Sequence, residues 1–221
     1  TTGTYSGRVG GMKRLFDIVV AATALLAVAP ILLVVGAVVA ATSPGGALFR
    51  QTRIGRHGRP FTLLKFRSMS VKPGSENGDF DAGDRTRVTP IGRLLRRSKL
   101  DELPQLWNIF VGDMSFVGPR PEVPRWTEVH QERWRCILAV RPGLTDPASL
   151  EFRNEEELLA DTEDPEALYR DVILPRKLEL SEDYLRSRTL GKDVLLVLRT
   201  IGALLDRTTG TRASDRGESE A

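Results

Sequence analysis

At 221 residues with a formal net charge of +3, the chain has the length of one domain, or of one domain plus an anchor. Its single cysteine, Cys136, excludes an internal disulfide framework and fits a reducing compartment. His57 and His130 stand far apart, in no zinc-type spacing, so any metal is expected to be a hard cation held by carboxylates. The small net charge hides a segregation: seven Lys or Arg and no acid lie between Ser43 and Lys72, and six more with no acid between Arg85 and Lys99. The acids gather after Asp146. A polyanion or an anionic membrane surface is the natural partner of the first half.

The first element is apolar. Ile18 to Ala41 is 24 residues without a charge, and as a straight helix it would reach about 36 Å, enough to cross a hydrocarbon core. A buried soluble helix of this length should carry a polar stripe, and this one has only Thr23. It is too long for the apolar region of a cleaved signal peptide, and the basic residues after it oppose export. A plain spanning helix should show a charge bias between its ends. Here both flanks are basic, with Arg8, Lys13 and Arg14 before and Arg50, Arg53, Arg56 and Arg59 after. Pro30, in the middle of the run, removes a helix hydrogen bond and bends the chain. These features suit a hairpin that enters and leaves by the cytoplasmic face; a proline-kinked spanning helix is the alternative.

After a helix-breaking Ser-Pro-Gly-Gly (Ser43–Gly46), Phe61, Leu63 and Leu64 form a short strand preceded by a Gly-Arg turn. Val71 to Asp84 is a loop. From Pro90 an amphipathic basic helix sets Ile91, Leu94 and Leu95 on one face and Arg93, Arg96, Arg97 and Lys99 on the other, a pattern suited to a membrane interface. Pro104 interrupts it, displaces Leu103 from helical geometry, and opens a new helix carrying Leu106, Trp107 and Phe110. Gly112 to Pro124 is a loop, Pro124 to Ala139 a helix, and Arg141-Pro142-Gly143 a turn. Helices follow near Asn154, from Pro165 to Leu185 and from Leu190 to Leu205. The architecture is mainly α with a small β element. By residue number, 1–12 form a flexible start, 13–46 the membrane segment, 47–206 the main domain and 207–221 a disordered tail.

Three places carry chemistry. Asp101-Glu102 sits at a helix break, between a basic helix and a new helix N-terminus, where cations and the helix dipole favour ionised carboxylates. Such a carboxylate attacks phosphorus as a nucleophile or holds Mg²⁺ against a diphosphate; the plain alternative is a helix cap. Arg120, between two prolines in Gly118–Pro121, is presented from a stiff loop suited to bidentate phosphate binding; the alternative is a structural arginine paired with an acid such as Glu122. Alternation sets Lys65 and Arg67 on one strand face, either toward an anionic ligand or toward solvent and headgroups. No Walker loop, GxGxxG or HExxH is present, so a nucleotide would be held by Arg and Lys side chains.

Together, KRLFDIVVA from Lys13, KFRSM from Lys65, TPIGRLLRRSKLDELPQLWNIFVGDMSFVGPRPE from Thr89 and RPGLT from Arg141 resemble the bacterial sugar transferase family, small monotopic phosphoglycosyl transferases of glycan assembly. The resemblance covers most of the chain. It implies a re-entrant helix kinked at Pro30, interfacial amphipathic helices and residence on the cytoplasmic face of the bacterial inner membrane. It implies that Asp101 attacks the β-phosphate of a UDP-sugar, that UMP leaves, and that undecaprenyl phosphate then takes the phospho-sugar. Glu102 would be the acid or base partner. Asp101 and Glu102 would hold Mg²⁺, with Mn²⁺ a substitute. Arg120, Lys65, Arg67, Arg97 and Arg141 would hold phosphates. A nucleic-acid polymer is not an expected partner, and a homodimer stays open. Two departures stand out: Ala29 where many members have serine, and Asp146-Pro147-Ala148-Ser149 where the usual continuation begins with Gly, which leaves the sugar open. The match is to the small, core form of the family. A membrane-anchored scaffold that kept the fold without the chemistry is the competing reading, against which the intact carboxylate pair and Arg120 stand.

Overall fold

The computed structural model describes residues 7–71 and 86–217, and side chains within 11–71 and 86–204. The expected loop beyond Val71, the first six residues of the expected flexible start and the last four of the expected tail lie outside them. The fold is mostly helical, with two small sheets. Helix α1 spans Gly7–Thr42 and is helical throughout, Pro30 included. It begins inside the segment expected to be a flexible start, and no hairpin break interrupts it at Pro30.

The apolar composition of α1 divides into two faces. Ala21, Leu25, Val28, Leu32, Val35 and Val39 recur at intervals of three and four residues and pack against the rest of the chain. Their partners are Leu63, Leu106, Ile109 and Met114 before Pro30, and Phe66, Leu95 and Leu48 after it. The other face has no cover: Leu26 is 79 % and Leu33 75 % exposed. Only 6 % of its most apolar window is buried, and it is long and apolar enough to cross a membrane. Its hydroxyls turn back into the helix, Thr23 donating to Val19 O and Thr42 to Val38 O.

Strands β1 (Leu48–Ile54) and β2 (Pro60–Phe66) form an antiparallel hairpin in register from Leu48↔Phe66 to Ile54↔Pro60. The turn between them holds His57 and Gly58 at positive φ. Strand β2 is the expected one, while β1 falls on a stretch with no expected element. Helix α2 (Pro90–Ser98) starts with Thr89 capping Gly92 N and Pro90 in its first turn. Leu95 is buried, but Leu94 is 60 % exposed, so the apolar face is narrower than its composition suggested.

The break after α2 falls at Lys99, in the left-handed region at φ 57°, and not at Leu103, whose φ of −54° and ψ of −36° are helical. Helix α3 (Gln105–Val111) follows Pro104. Two segments expected to be loop and turn instead pair as parallel strands, β3 (Ser115–Val117) and β4 (Gly143–Thr145). Each is three residues long, too short to show a period. The expected helix from Pro124 is two, α4 (Pro124–Thr127) and α5 (Gln131–Ile137), split at His130 with φ 58°.

Helices α6 (Pro147–Glu151), α7 (Glu155–Ala160) and α8 (Pro165–Leu168) lead through a π-helical turn, Tyr169–Ile173, into α9 (Leu174–Ser187). Trp126, Trp134, Ile137, Leu159, Tyr169 and Leu178 form the core of this half. Helix α10 (Leu190–Gly217) continues past the expected end at Leu205. It ties back to α1: Lys13 Nζ donates to Asp193 Oδ2 at 2.5 Å and to Val117 O at 2.8 Å.

Candidate active site

Lys99 creates the site's geometry. A left-handed residue with a side chain costs on the order of 1 kcal/mol, and here it reverses the chain out of α2 into one 3-10 turn, Leu100–Glu102. That turn sets Asp101 and Glu102 beside the edge of β2. Helix α3 is fixed to the same strand by Asn108, whose Oδ1 accepts from Leu64 N at 3.1 Å and whose Nδ2 donates to Thr62 O at 2.8 Å.

The two carboxylates are treated differently. Glu102 Oε1 accepts from Lys65 Nζ at 3.0 Å and from Arg120 Nη2 at 2.7 Å. Although burial opposes its charge, the two cations hold Glu102 well below the usual carboxylate range. Asp101 is 6 % exposed, and its buried Oδ1 has no hydrogen-bond partner. Burial raises its proton affinity, Lys65 opposes that rise, and the Glu102 charge adds to it. Burial also pulls Lys65 down, against the pull of Glu102. One carboxylate is thus fixed and neutralised, and its neighbour is poorly solvated with an oxygen to spare.

Arg120 comes from a loop clamped on several sides. Gly118 N donates to Thr145 O and Gly143 N to Pro119 O. Gly118 and Gly143 approach so closely that a Cβ on Gly143 would lie 2.1 Å from Gly118 N. Arg120 N donates to Asp146 Oδ2 at 3.1 Å. On the far side, Ile54 N of β1 donates to Glu122 O, and Arg53 Nη1 donates to Pro121 O and Glu122 Oε1. Tyr169, on the π-helical turn, donates its hydroxyl to Glu122 Oε2 at 2.5 Å. Glu122 is therefore engaged by Arg53 and Tyr169, and the acid partner of Arg120 is Glu102.

Lys65, Asp101, Glu102 and Arg120 converge. The other three cations do not join them through any hydrogen bond. Arg67 lies just beyond β2, buried, with its guanidinium donating to Gly46 O and Leu48 O at the start of β1. Arg141 Nε donates to Gly112 O at the C-terminal end of α3, where Arg14 also donates to Ile109 O and Phe110 O. Those two arginines complement the negative end of α3. Arg97 is exposed on α2. Residues with no sequence signal in this role are Arg53, Asp146 and Tyr169. Their contacts to the Arg120 loop span 69, 26 and 47 residues, and only the fold brings them there.

No group of three or more His, Cys, Asp or Glu side chains suited to a metal occurs among the described residues. The donor set still fits one hard cation: Mg²⁺ is commonly bound by one or two carboxylates plus substrate phosphates, and Asp101 offers a buried oxygen with no partner.

A carboxylate pair set among fixed cations is suited to anionic ligands. The family model of the bacterial sugar transferases matches residues 8–207, and the chain belongs to that family. It is 38 % identical over 197 residues to a UDP-glucose:undecaprenyl-phosphate glucose-1-phosphate transferase of Caulobacter vibrioides, covering 87 % of this chain and 69 % of that protein. A protein of the same description from Escherichia coli K12 is 34 % identical over 198 residues, covering 86 % of this chain but 39 % of its own length. The exopolysaccharide production protein ExoY of Rhizobium meliloti is 34 % identical over 212 residues, covering 89 % of this chain and 87 % of that one.

Proposed function

We propose that the protein transfers a sugar-1-phosphate from a UDP-sugar to undecaprenyl phosphate, releasing UMP, by way of a phospho-sugar carried on Asp101. The observation behind this is the asymmetry of the carboxylate pair. Glu102 already has two cations on one oxygen, while the buried Oδ1 of Asp101 has none. A carboxylate that is poorly solvated and unpaired is a stronger nucleophile than one held in a salt bridge. The names of the relatives supply the donor and acceptor classes.

In the first step an Asp101 carboxylate oxygen forms a bond to the β-phosphorus, and the bond from that phosphorus to the bridging oxygen breaks. UMP leaves with the electron pair. In the second step a phosphate oxygen of the lipid attacks the same phosphorus, restoring Asp101 and forming a lipid diphosphate sugar. The acceptor is already anionic, so the second attack needs no general base. Arg120 and Lys65 balance charge on the phosphates, and Glu102 holds both of them in place. Asp101 and Glu102 would hold Mg²⁺, which supplies neutralising charge for the diphosphate. Chelation should abolish turnover and added Mg²⁺ restore it; full activity in chelator would remove the metal from the account.

The domain contacts both ends of α1, through Lys13, Arg14 and Asp17 at one and Val39 at the other. A helix crossing the bilayer would carry one of those ends to the far side, away from the domain. This supports a monotopic chain on the cytoplasmic face, with the uncovered face of α1 in lipid. A panel of UDP-sugars with undecaprenyl phosphate tests the activity, beginning with UDP-glucose, the donor in two of the relatives' names. UMP is the expected product. UDP would indicate transfer of sugar without phosphate, and no released nucleotide would favour a scaffold.

A further inference from the structure

We infer that Asp146 is a positioning residue for the reaction, holding Arg120 in place for the donor diphosphate through the Arg120 backbone amide. The inference rests on the phosphate-binding role proposed above for Arg120. Asp146 is 1 % exposed, and its two carboxylate oxygens do different work. Oδ1 accepts from Ser149 N at 2.7 Å and caps α6. Oδ2 reaches 26 residues back and accepts from Arg120 N at 3.1 Å. Capping α6 requires one acceptor oxygen and no charge, and a serine serves as well. A buried aspartate exceeds that need, and its second oxygen lands on the residue that grips Glu102.

The surroundings make this bond consequential. Arg120 lies between Pro119 and Pro121, so its backbone has little freedom, and an error in the amide plane is passed to the side chain. The anionic oxygens of Asp146 also act on the Arg120 guanidinium, adding to the pull of Glu102. On the other side of the loop, Arg53 and Tyr169 fix Pro121 and Glu122. Glu102 holds the Arg120 guanidinium, and Asp146 holds its backbone amide.

Asp146→Ser separates the two tasks, because serine keeps the α6 cap but is too short to reach Arg120 N. The expected result is a donor KM raised about ten-fold, the order for losing one charge-assisted hydrogen bond, with kcat much less affected and Tm close to wild type. Lipid-acceptor KM should stay unchanged. In a double-mutant cycle with Arg120→Ala, Asp146→Ser should add little to the loss caused by Arg120→Ala alone. Donor kinetics unchanged in Asp146→Ser, or losses that multiply in the double variant, would overturn the inference. If Asp146→Ser lowers Tm strongly, Asp146→Asn reads the same cycle, since it keeps the volume and one acceptor. A wild-type enzyme that releases no UMP but binds UDP-sugar, with Arg120→Ala binding equally well, would overturn the role of Arg120 and this inference with it. Active wild type with normal donor KM in Asp146→Ser would overturn the inference alone.

Discussion

Glu102 Oε1 lies 2.7 Å from Arg120 Nη2, joining a 3-10 turn to a proline-bounded loop 18 residues later. The same oxygen takes Lys65 at 3.0 Å, so this one carboxylate oxygen assembles the cationic side of the site. Glu102→Gln would leave Lys65 and Arg120 facing each other with only a neutral acceptor. Because Arg120 is 35 % exposed, solvent moderates the cost, and a loss of about 1–3 kcal/mol is expected for a charged hydrogen-bonded pair. The depressed Glu102 pKa gives the sign: its stabilisation is complete above the ordinary glutamate value and fades as pH falls through the lower folded value. Denaturation at pH 7 and at low pH checks this. The Tm gap between wild type and Glu102→Gln should close in acid; a gap that is constant with pH would contradict it.

Asp101 should respond in the opposite way. Its buried oxygen lacks a partner and its proton affinity is raised by burial, so ionised Asp101 opposes folding at neutral pH. Asp101→Asn should keep or raise Tm while abolishing UMP release and any covalent phospho-sugar seen by intact-protein mass spectrometry. A marked fall in Tm would make Asp101 a structural ion-pair residue. An adduct persisting in Asp101→Asn would move the nucleophile elsewhere.

The pH profile carries a second signature of the same group. Because Asp101 is raised, the acid limb of kcat/KM should lie above the ordinary aspartate value of about 3.9. Lys65 opposes the rise and Glu102 adds to it. Lys65→Gln should therefore move the limb to higher pH and Glu102→Gln to lower pH. Shifts of the same sign in both variants would exclude Asp101 as the titrating group.

For topology, cysteine labelling in a Cys136→Ser background reads both ends of α1. Ser43 is 4 % exposed and unsuitable as a probe, but Met12 and Pro44 are exposed. Cysteines placed at those two positions should both resist a membrane-impermeant reagent in intact cells and both react in inverted vesicles. Reaction of one position only from the outside would establish a spanning helix.

How much of this was legible in the sequence depended on distance along the chain. Asp101, Glu102, Arg120 and Lys65 were found because each lies in a short block whose residue types announce a charge or a stiff turn. The uncharged run Ile18–Ala41 within α1 stood out because nothing else in the chain lacks charge for so long. Alternation was expected to set Lys65 and Arg67 on one strand face, yet β2 ends at Phe66, and one residue beyond it the arginine meets carbonyls instead of the site. Asp146 was noticed only as a departure from a family pattern; its contact with Arg120 depends on β3 and β4 pairing in parallel, and three-residue strands leave no periodic trace. Arg53 and Tyr169 were silent because their contacts to Glu122 span 69 and 47 residues.

The most direct test follows the β-phosphorus of the donor. With UDP-glucose labelled at the β-phosphate with ³²P, undecaprenyl phosphate and Mg²⁺, the label should pass into the lipid fraction as unlabelled UMP accumulates, and should do neither with Asp101→Asn. Label retained in the nucleotide as UDP, with glucose arriving on the lipid, would contradict phospho-sugar transfer and with it the role given to Asp101.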